Sequence, residues 1–232
     1  MMGDSAGRRP PPQEFIARVW KRVRAADYRG ALAEGERGLK MWPQDFRMQS
    51  AYASILGDYS EQLSPRQRQR GKGQAVRLLR VLLHRLRGVE EIEAFRSRNE
   101  YYYHSGQFKK QYSLGREGVS RGMVRAVYSQ GVGAAWHAKQ LAEMRKPRLA
   151  RLWATKSVKA WKVFFRRVPD YYNAYVHYAL AVGILDRPEE MDRARRVAGR
   201  LSRRPASYRE FREVRAIVGR LALGRQNQGE RS

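Results

Sequence analysis

Along nearly the whole chain apolar residues recur every three or four positions, the spacing of one face of an α-helix rather than the two-residue alternation of a half-buried strand. Phe15, Ile16, Val19, Trp20 and Val23 form the first such face, with Arg18, Lys21, Arg22 and Arg24 between them. Asp27-Tyr28 turns the chain. Ala31, Leu32, Gly35 and Leu39 then mark a second face, which Pro43 ends. Two helices joined by so short a turn make an antiparallel hairpin.

The same grammar repeats. A second pair is expected over about Phe46 to Leu86, with Tyr52, Ile55 and Leu56 on its first helix and Ala75, Leu79, Leu82 and Leu86 on its second. A third runs from about Ile92 to Met123, and a fourth ends at Val168-Pro169, echoing Trp42-Pro43. A fifth starts at Tyr171, turns at Asp186-Arg187-Pro188-Glu189 and closes with Ala194, Val197, Ala198 and Leu201. A last helix, about Ser207 to Leu223, sets Val214, Ile217, Val218 and Leu221 against Arg209, Arg212, Arg215 and Arg220. Such a helix suits the end of a stack, where one face must meet solvent.

Breaks in the pattern predict the irregular parts. Residues 1–12, rich in Gly, Arg and Pro, read as a disordered tail, and 224–232 as a second one. Glu61 to Gly73 holds Ser64-Pro65 and the run Arg66-Gln-Arg68-Gln-Arg70-Gly71-Lys72-Gly73, and reads as a basic loop within an ordered region spanning 13–223. Ser129-Gln130-Gly131-Val132-Gly133 reads as an insertion or flexible joint.

Residues Asp27 to Pro43 resemble the second half of a tetratricopeptide repeat, a two-helix unit of about 34 residues. Tyr28, the small Ala31 and the closing Pro43 carry the likeness. A second copy lies at Ser105 to Val119: Phe108 matches Tyr28, and Gly115-Arg116-Glu117-Gly118-Val119 matches Gly35-Glu36-Arg37-Gly38-Leu39. The two copies stand further apart than two repeats, and the basic loop 61–73 supplies the surplus. The resemblance implies an all-α protein, a right-handed α-solenoid of antiparallel helix pairs with a C-terminal capping helix. It also implies a concave groove lined by the first helix of each pair, here including Trp20 and Arg24, then Arg96, Glu100, Tyr103 and His104. The Lys/Asn set with which some family members clamp a peptide carboxylate is not recognisable. Gly35, Gly38, Gly115, Gly118, Gln111, Val19 and Asn99 depart from the family's pattern, and a non-repeating helical bundle would show the same periodicity.

Composition adds a charge. There are 48 Lys+Arg against 22 Asp+Glu, a formal net charge of +26. A field of that sign draws nucleic acid, anionic lipid or acidic proteins; Arg-biased composition alone would produce it too, since only ten of these cations are Lys. With no Cys, disulfides and thiolate metal sites are excluded. No apolar run reaches the length of a membrane span and no secretory signal pattern is seen at the start, so a cytoplasmic protein is expected.

Catalytic patterns are missing. His84, His104, His137 and His177 are too far apart in sequence to pair as metal ligands on one helix, and neither a P-loop nor a nucleophile elbow occurs. No catalytic residue, metal site or cofactor is expected. The stretch 148–167 carries a different signal. At 100° per residue, Arg148, Arg151, Thr155, Lys159, Lys162 and Arg166 share one narrow stripe, and the rest of that helix is largely apolar. No acid lies between Met144 and Pro169; Glu143, Asp170, Glu189 and Glu190 are the nearest that could neutralise the stripe. Tyr101, Tyr102 and Tyr103, among cations, could stack bases or simply pack. Two functions are therefore expected to compete. One is a non-catalytic scaffold or adaptor holding an acidic protein or peptide in the concave groove. The other is binding of RNA or another polyanion through Arg148, Arg151, Lys159, Lys162 and Arg166, with the loop Arg66 to Lys72 and the Tyr101–Tyr103 cluster.

Overall fold

The computed structural model describes residues 10–24, 27–61, 63–86, 91–201 and 212–220, and among these every regular element is an α-helix. In chain order they are α1 Pro12–Arg24, α2 Tyr28–Met41, α3 Phe46–Ser60, α4 Pro65–Arg85, α5 Glu91–His104, α6 Phe108–Ser120, α7 Ala126–Glu143, α8 Pro147–Arg167, α9 Tyr172–Ile184 and α10 Pro188–Leu201. An eleventh, α11, covers 212–220. None is long and apolar enough to cross a membrane among the described residues. The terminal tails expected over 1–12 and 224–232 lie outside the described residues, except that Pro10 and Pro11 are irregular and Pro12 already opens α1.

The chain divides into two compact units, at Gly106/Gln107. The break falls inside the segment expected to form the third helix pair. In the first unit each helix packs on the next, and α1 and α3, then α3 and α5, also touch. In the second, α6 to α10 pack in succession, and α7 also touches α9.

Local chemistry explains the boundaries. Asp27 caps α2 by accepting from the Gly30 N–H at 2.9 Å, and Asp45 caps α3 by accepting from Met48 N–H at 2.8 Å, each satisfying a donor the helix leaves open. Three of the turns end in a left-handed residue: Gly122 (φ 80), Arg145 (φ 57) and Asp186 (φ 64). The following N–H reaches back to Gly118, Leu141 and Val182 carbonyls at 2.8, 2.9 and 3.0 Å, the bonding of a Schellman stop.

In the first unit Val19, Ala31 and Ile55 are fully buried together. This is the register expected from the small residue at Ala31. Glu34, 4 % exposed, is held between Arg18 at 3.3 Å and Arg37 at 2.5 Å, tying α1 to α2. The second unit has the larger core, in which Leu180, Val182, Ile184 and Ala138 are joined by Val214, Ile217 and Val218 of α11. That last helix thus lays one apolar face on the stack while Arg212, Arg215 and Arg220 stay exposed.

Two expected irregular segments are helical. The basic stretch 61–73 is a loop only to Ser64; Pro65 opens α4. Proline is suited to the first helical position, where its missing N–H has no partner to lose, and Arg and Gln are good helix formers. Glu61 also pairs with Lys72 and Arg68. Ser129–Gly133, expected as a joint, lies inside α7 with Ser129, Gly131, Val132 and Gly133 buried. Its glycines serve contact rather than flexibility. A Cβ on Gly133 would stand 2.6 Å from Tyr112 N and 2.8 Å from Phe108 O, and one on Gly115 would stand 2.6 Å from Gln130 N. Helices α6 and α7 therefore meet backbone to backbone.

Gly133→Val puts two methyl groups where α6 backbone stands, and overpacking of that kind costs about 1–3 kcal/mol or more. A melting temperature lowered by several degrees is expected; an unchanged one would show that α6 and α7 do not approach in this way.

Candidate functional site

Helix α8 is anchored from below by aromatic rings. Trp161 is fully buried, faces Gly131 of α7, and packs on Tyr128 at 5.4 Å, Phe164 at 5.7 Å and His177 at 6.3 Å between ring centroids. The Ser157 hydroxyl donates to the Gly131 carbonyl at 2.8 Å. Ala150, Ala154, Val158 and Ala160 complete the buried face.

The opposite face is basic. Arg148, Arg151, Lys159, Lys162 and Arg166 are all exposed, and no ion pair reaches any of them among the described residues. Two of the acids nearest in sequence have their closest partners elsewhere: Glu143 takes Lys139 at 2.7 Å, and Glu190 takes Arg187 at 3.0 Å and the Tyr178 hydroxyl at 2.5 Å, with Lys162 adding to the lowering of the Glu190 pKa. The helix contains seven basic residues and no acid. From Arg148 to Arg166 the stripe runs about 27 Å at 1.5 Å per residue.

Beside it on α8 lies a second stripe that the sequence pattern assigned to the interior. Leu149 is 47 % exposed, Leu152 51 % and Val163 42 %. Beside Val163 a shallow cleft of about 260 Å³ is bounded by Tyr112 and Val119 of α6, Val127 and Gln130 of α7, and Lys156, Lys159, Ala160 and Val163 of α8. Lys156 crosses this border, with its ammonium 4.3 Å from the centre of the Trp153 ring and 5.9 Å from that of Tyr112. The positive field is felt locally: the His137 pKa is lowered, first by burial and then by Lys109 and Lys156, against a hydrogen bond from its ring to the Gln140 Oε1 that works the other way.

Of the groove residues inferred from the repeat resemblance, one is closed off in the first unit. His104 is buried, 6 % exposed, with its ring against Gly57 of α3. It therefore cannot line a groove. Burial opposes its charging, but Glu100 at 3.6 Å and Asp58 at 3.9 Å outweigh that and raise its pKa. Tyr103 rests edge-on against it at 5.2 Å. Arg96 is drawn to Glu93 at 3.2 Å. Trp20 is half-buried on α1, and the Arg24 side chain lies outside the described residues. Tyr101 and Tyr102 are half-buried and lie against each other at 5.7 Å. No group of three or more His, Cys, Asp or Glu that could hold a metal occurs among the described residues.

No family model matches the chain, and no curated protein is significantly similar to it.

The support under α8 has a pH signature. His177 is enclosed by Trp161, Trp136 and Tyr128, and its Nδ1 accepts from the Trp136 indole N–H at 3.1 Å. Burial lowers its pKa from 6.5 to about 4, so the folded protein favours the neutral ring. Its contribution is complete above pH 6.5 and is lost as pH falls from 6.5 to 4, on the order of 3 kcal/mol at most. His177→Gln keeps an acceptor for Trp136 and cannot take up the proton. Urea midpoints measured between pH 4 and 6.5 should rise more steeply with pH for the wild type than for the variant, which keeps only the contributions of the other shifted groups. Equal slopes would place the acid sensitivity elsewhere.

Proposed function

We propose that the protein is a non-catalytic helical adaptor of tetratricopeptide-like build that binds an acidic partner through the outer face of α8. The build is supported by the packing order: within each unit successive helices touch, and alternate helices α1, α3 and α5, or α7 and α9, also touch. Stacked helix pairs are packed in this way. The reading of the site rests on one observation, that Arg148, Arg151, Lys159, Lys162 and Arg166 are exposed on one face of a helix with no acid of its own and form no ion pair among the described residues, Lys162 alone lying near enough to an acid, Glu190, to act on it. Like charges one turn apart repel by a few tenths of a kcal/mol per pair, a cost that a bound anion removes.

The concave groove is the weaker location for the site. On α5 the candidate groups already engage one another or residues beside them, as Arg96 does Glu93 and His104 does Glu100 and Asp58. A ligand there would have to break those contacts, whereas one on α8 meets no ion pair among the described residues, only the weaker pull of Glu190 on Lys162.

Reversing two charges tests this without touching the core, because Lys159 and Lys162 are both exposed. Lys159→Glu with Lys162→Glu should leave the melting temperature nearly unchanged, the relief of repulsion along the stripe offsetting the lost attraction between Lys162 and Glu190. Binding of a fluorescein-labelled polyglutamate 20-mer, measured by anisotropy across a salt series, should weaken by about tenfold or more, with a shallower salt dependence. Equal binding by the two proteins would remove α8 as the site.

A further inference from the structure

We infer that the α8 face, read as above as an anion-binding surface, is a composite dock for an acidic amphipathic segment of a partner protein. In that dock the basic stripe takes the carboxylates, and the α6–α7–α8 cleft with its bordering aliphatic stripe takes the apolar side chains.

The inference comes from the two stripes lying side by side. Placed at 100° per residue, Arg151, Lys162, Arg148, Arg166 and Lys159 occupy one sector of α8, and Leu152, Val163 and Leu149 the next. Phosphate recognition alone has no use for the second sector. Single exposed aliphatic residues are ordinary, but here three share one side of one helix, and one of them, Val163, lines a cleft with Val119, Val127 and Ala160. An amphipathic segment with apolar residues at i, i+3, i+4 and i+7 and acids on its flanks presents the complementary pair of stripes.

Other occupants fit less well. Single-stranded nucleic acid binds by stacking bases on free aromatic faces. At this surface the aromatics are Tyr112 and Trp153, both half-buried, packed edge to face at 5.0 Å, with the Lys156 ammonium over their rings. A second copy of a chain of net charge +26 would bring like charge to like charge. Nor does the chain carry a strongly acidic segment of its own, with 22 acids spread among 48 cations.

The test compares three labelled probes on the full chain at one salt concentration. The first is a 20-residue peptide with Leu at helical i, i+3, i+4 spacing and Glu elsewhere. The second has the same composition, scrambled so that no apolar face remains. The third is a 20-nucleotide RNA of mixed sequence. The amphipathic peptide should bind about tenfold or more tightly than the scrambled one. Leu152→Ser with Val163→Ser, both exposed positions, should abolish that preference while leaving the scrambled peptide unchanged. Lys159→Glu with Lys162→Glu should weaken both peptides. Equal binding of the two peptides, with sensitivity to the Lys variants only, would overturn the composite dock and leave a plain anion surface. RNA binding tighter than either peptide would overturn it in favour of nucleic acid. No binding of any probe would overturn the anion surface along with the dock.

Discussion

The close approach of α7 to its two neighbours governs what the second unit can present to solvent. Gly133 and Gly115 let α6 and α7 meet at their backbones, and Gly131 admits the Trp161 ring of α8. Each glycine weakens its helix by roughly 0.5–1 kcal/mol relative to alanine. The return is a fully buried Trp161 and an aromatic layer of Tyr128, Phe164 and His177. Because α8 is held so firmly on that side, its outer face has no structural duty. It can carry seven cations and three exposed aliphatic residues without endangering the fold.

Electrostatics then separates the two candidate surfaces. On α5 and its surroundings, charges are resolved within the protein: Glu93 meets Arg96, while Glu100 and Asp58 flank His104. Glu34 in the first unit shows the same economy, a buried carboxylate shared by Arg18 and Arg37. On α8 the stripe has no ion pair among the described residues, and only Lys162 acts on an acid, Glu190. Surface ion pairs add little stability, so lacking them costs the fold little. The unpaired stripe is therefore a property of the surface available for binding.

Helical periodicity made the element order readable, since Ala31, Ile55, Leu79, Leu82, Ala194 and Ala198 occupy buried positions on the faces their spacing indicated. Charge spacing made the basic stripe readable for the same reason. What misled was residue type taken without its neighbour. Gly131 and Gly133 suggest a hinge until Trp161 and Tyr112 are seen against them, and Pro65 with alternating Arg and Gln suggests a loop until Glu61 is seen beside Lys72. Leu152 and Val163 looked like core because hydrophobicity reports what a side chain prefers, not whether a helix lies opposite. The burial of His104 rests on Gly57 of another helix, a contact no local pattern on α5 records.

The most direct measurement is where a ligand perturbs the protein. Amide chemical shifts of the full chain, titrated with the acidic amphipathic peptide, should change over α8 and the parts of α6 and α7 that border the cleft, around Val119, Val127 and Gln130. They should remain unchanged along α5. Shifts centred on Arg96 to His104, or spread evenly over the basic residues of both units, would contradict the account.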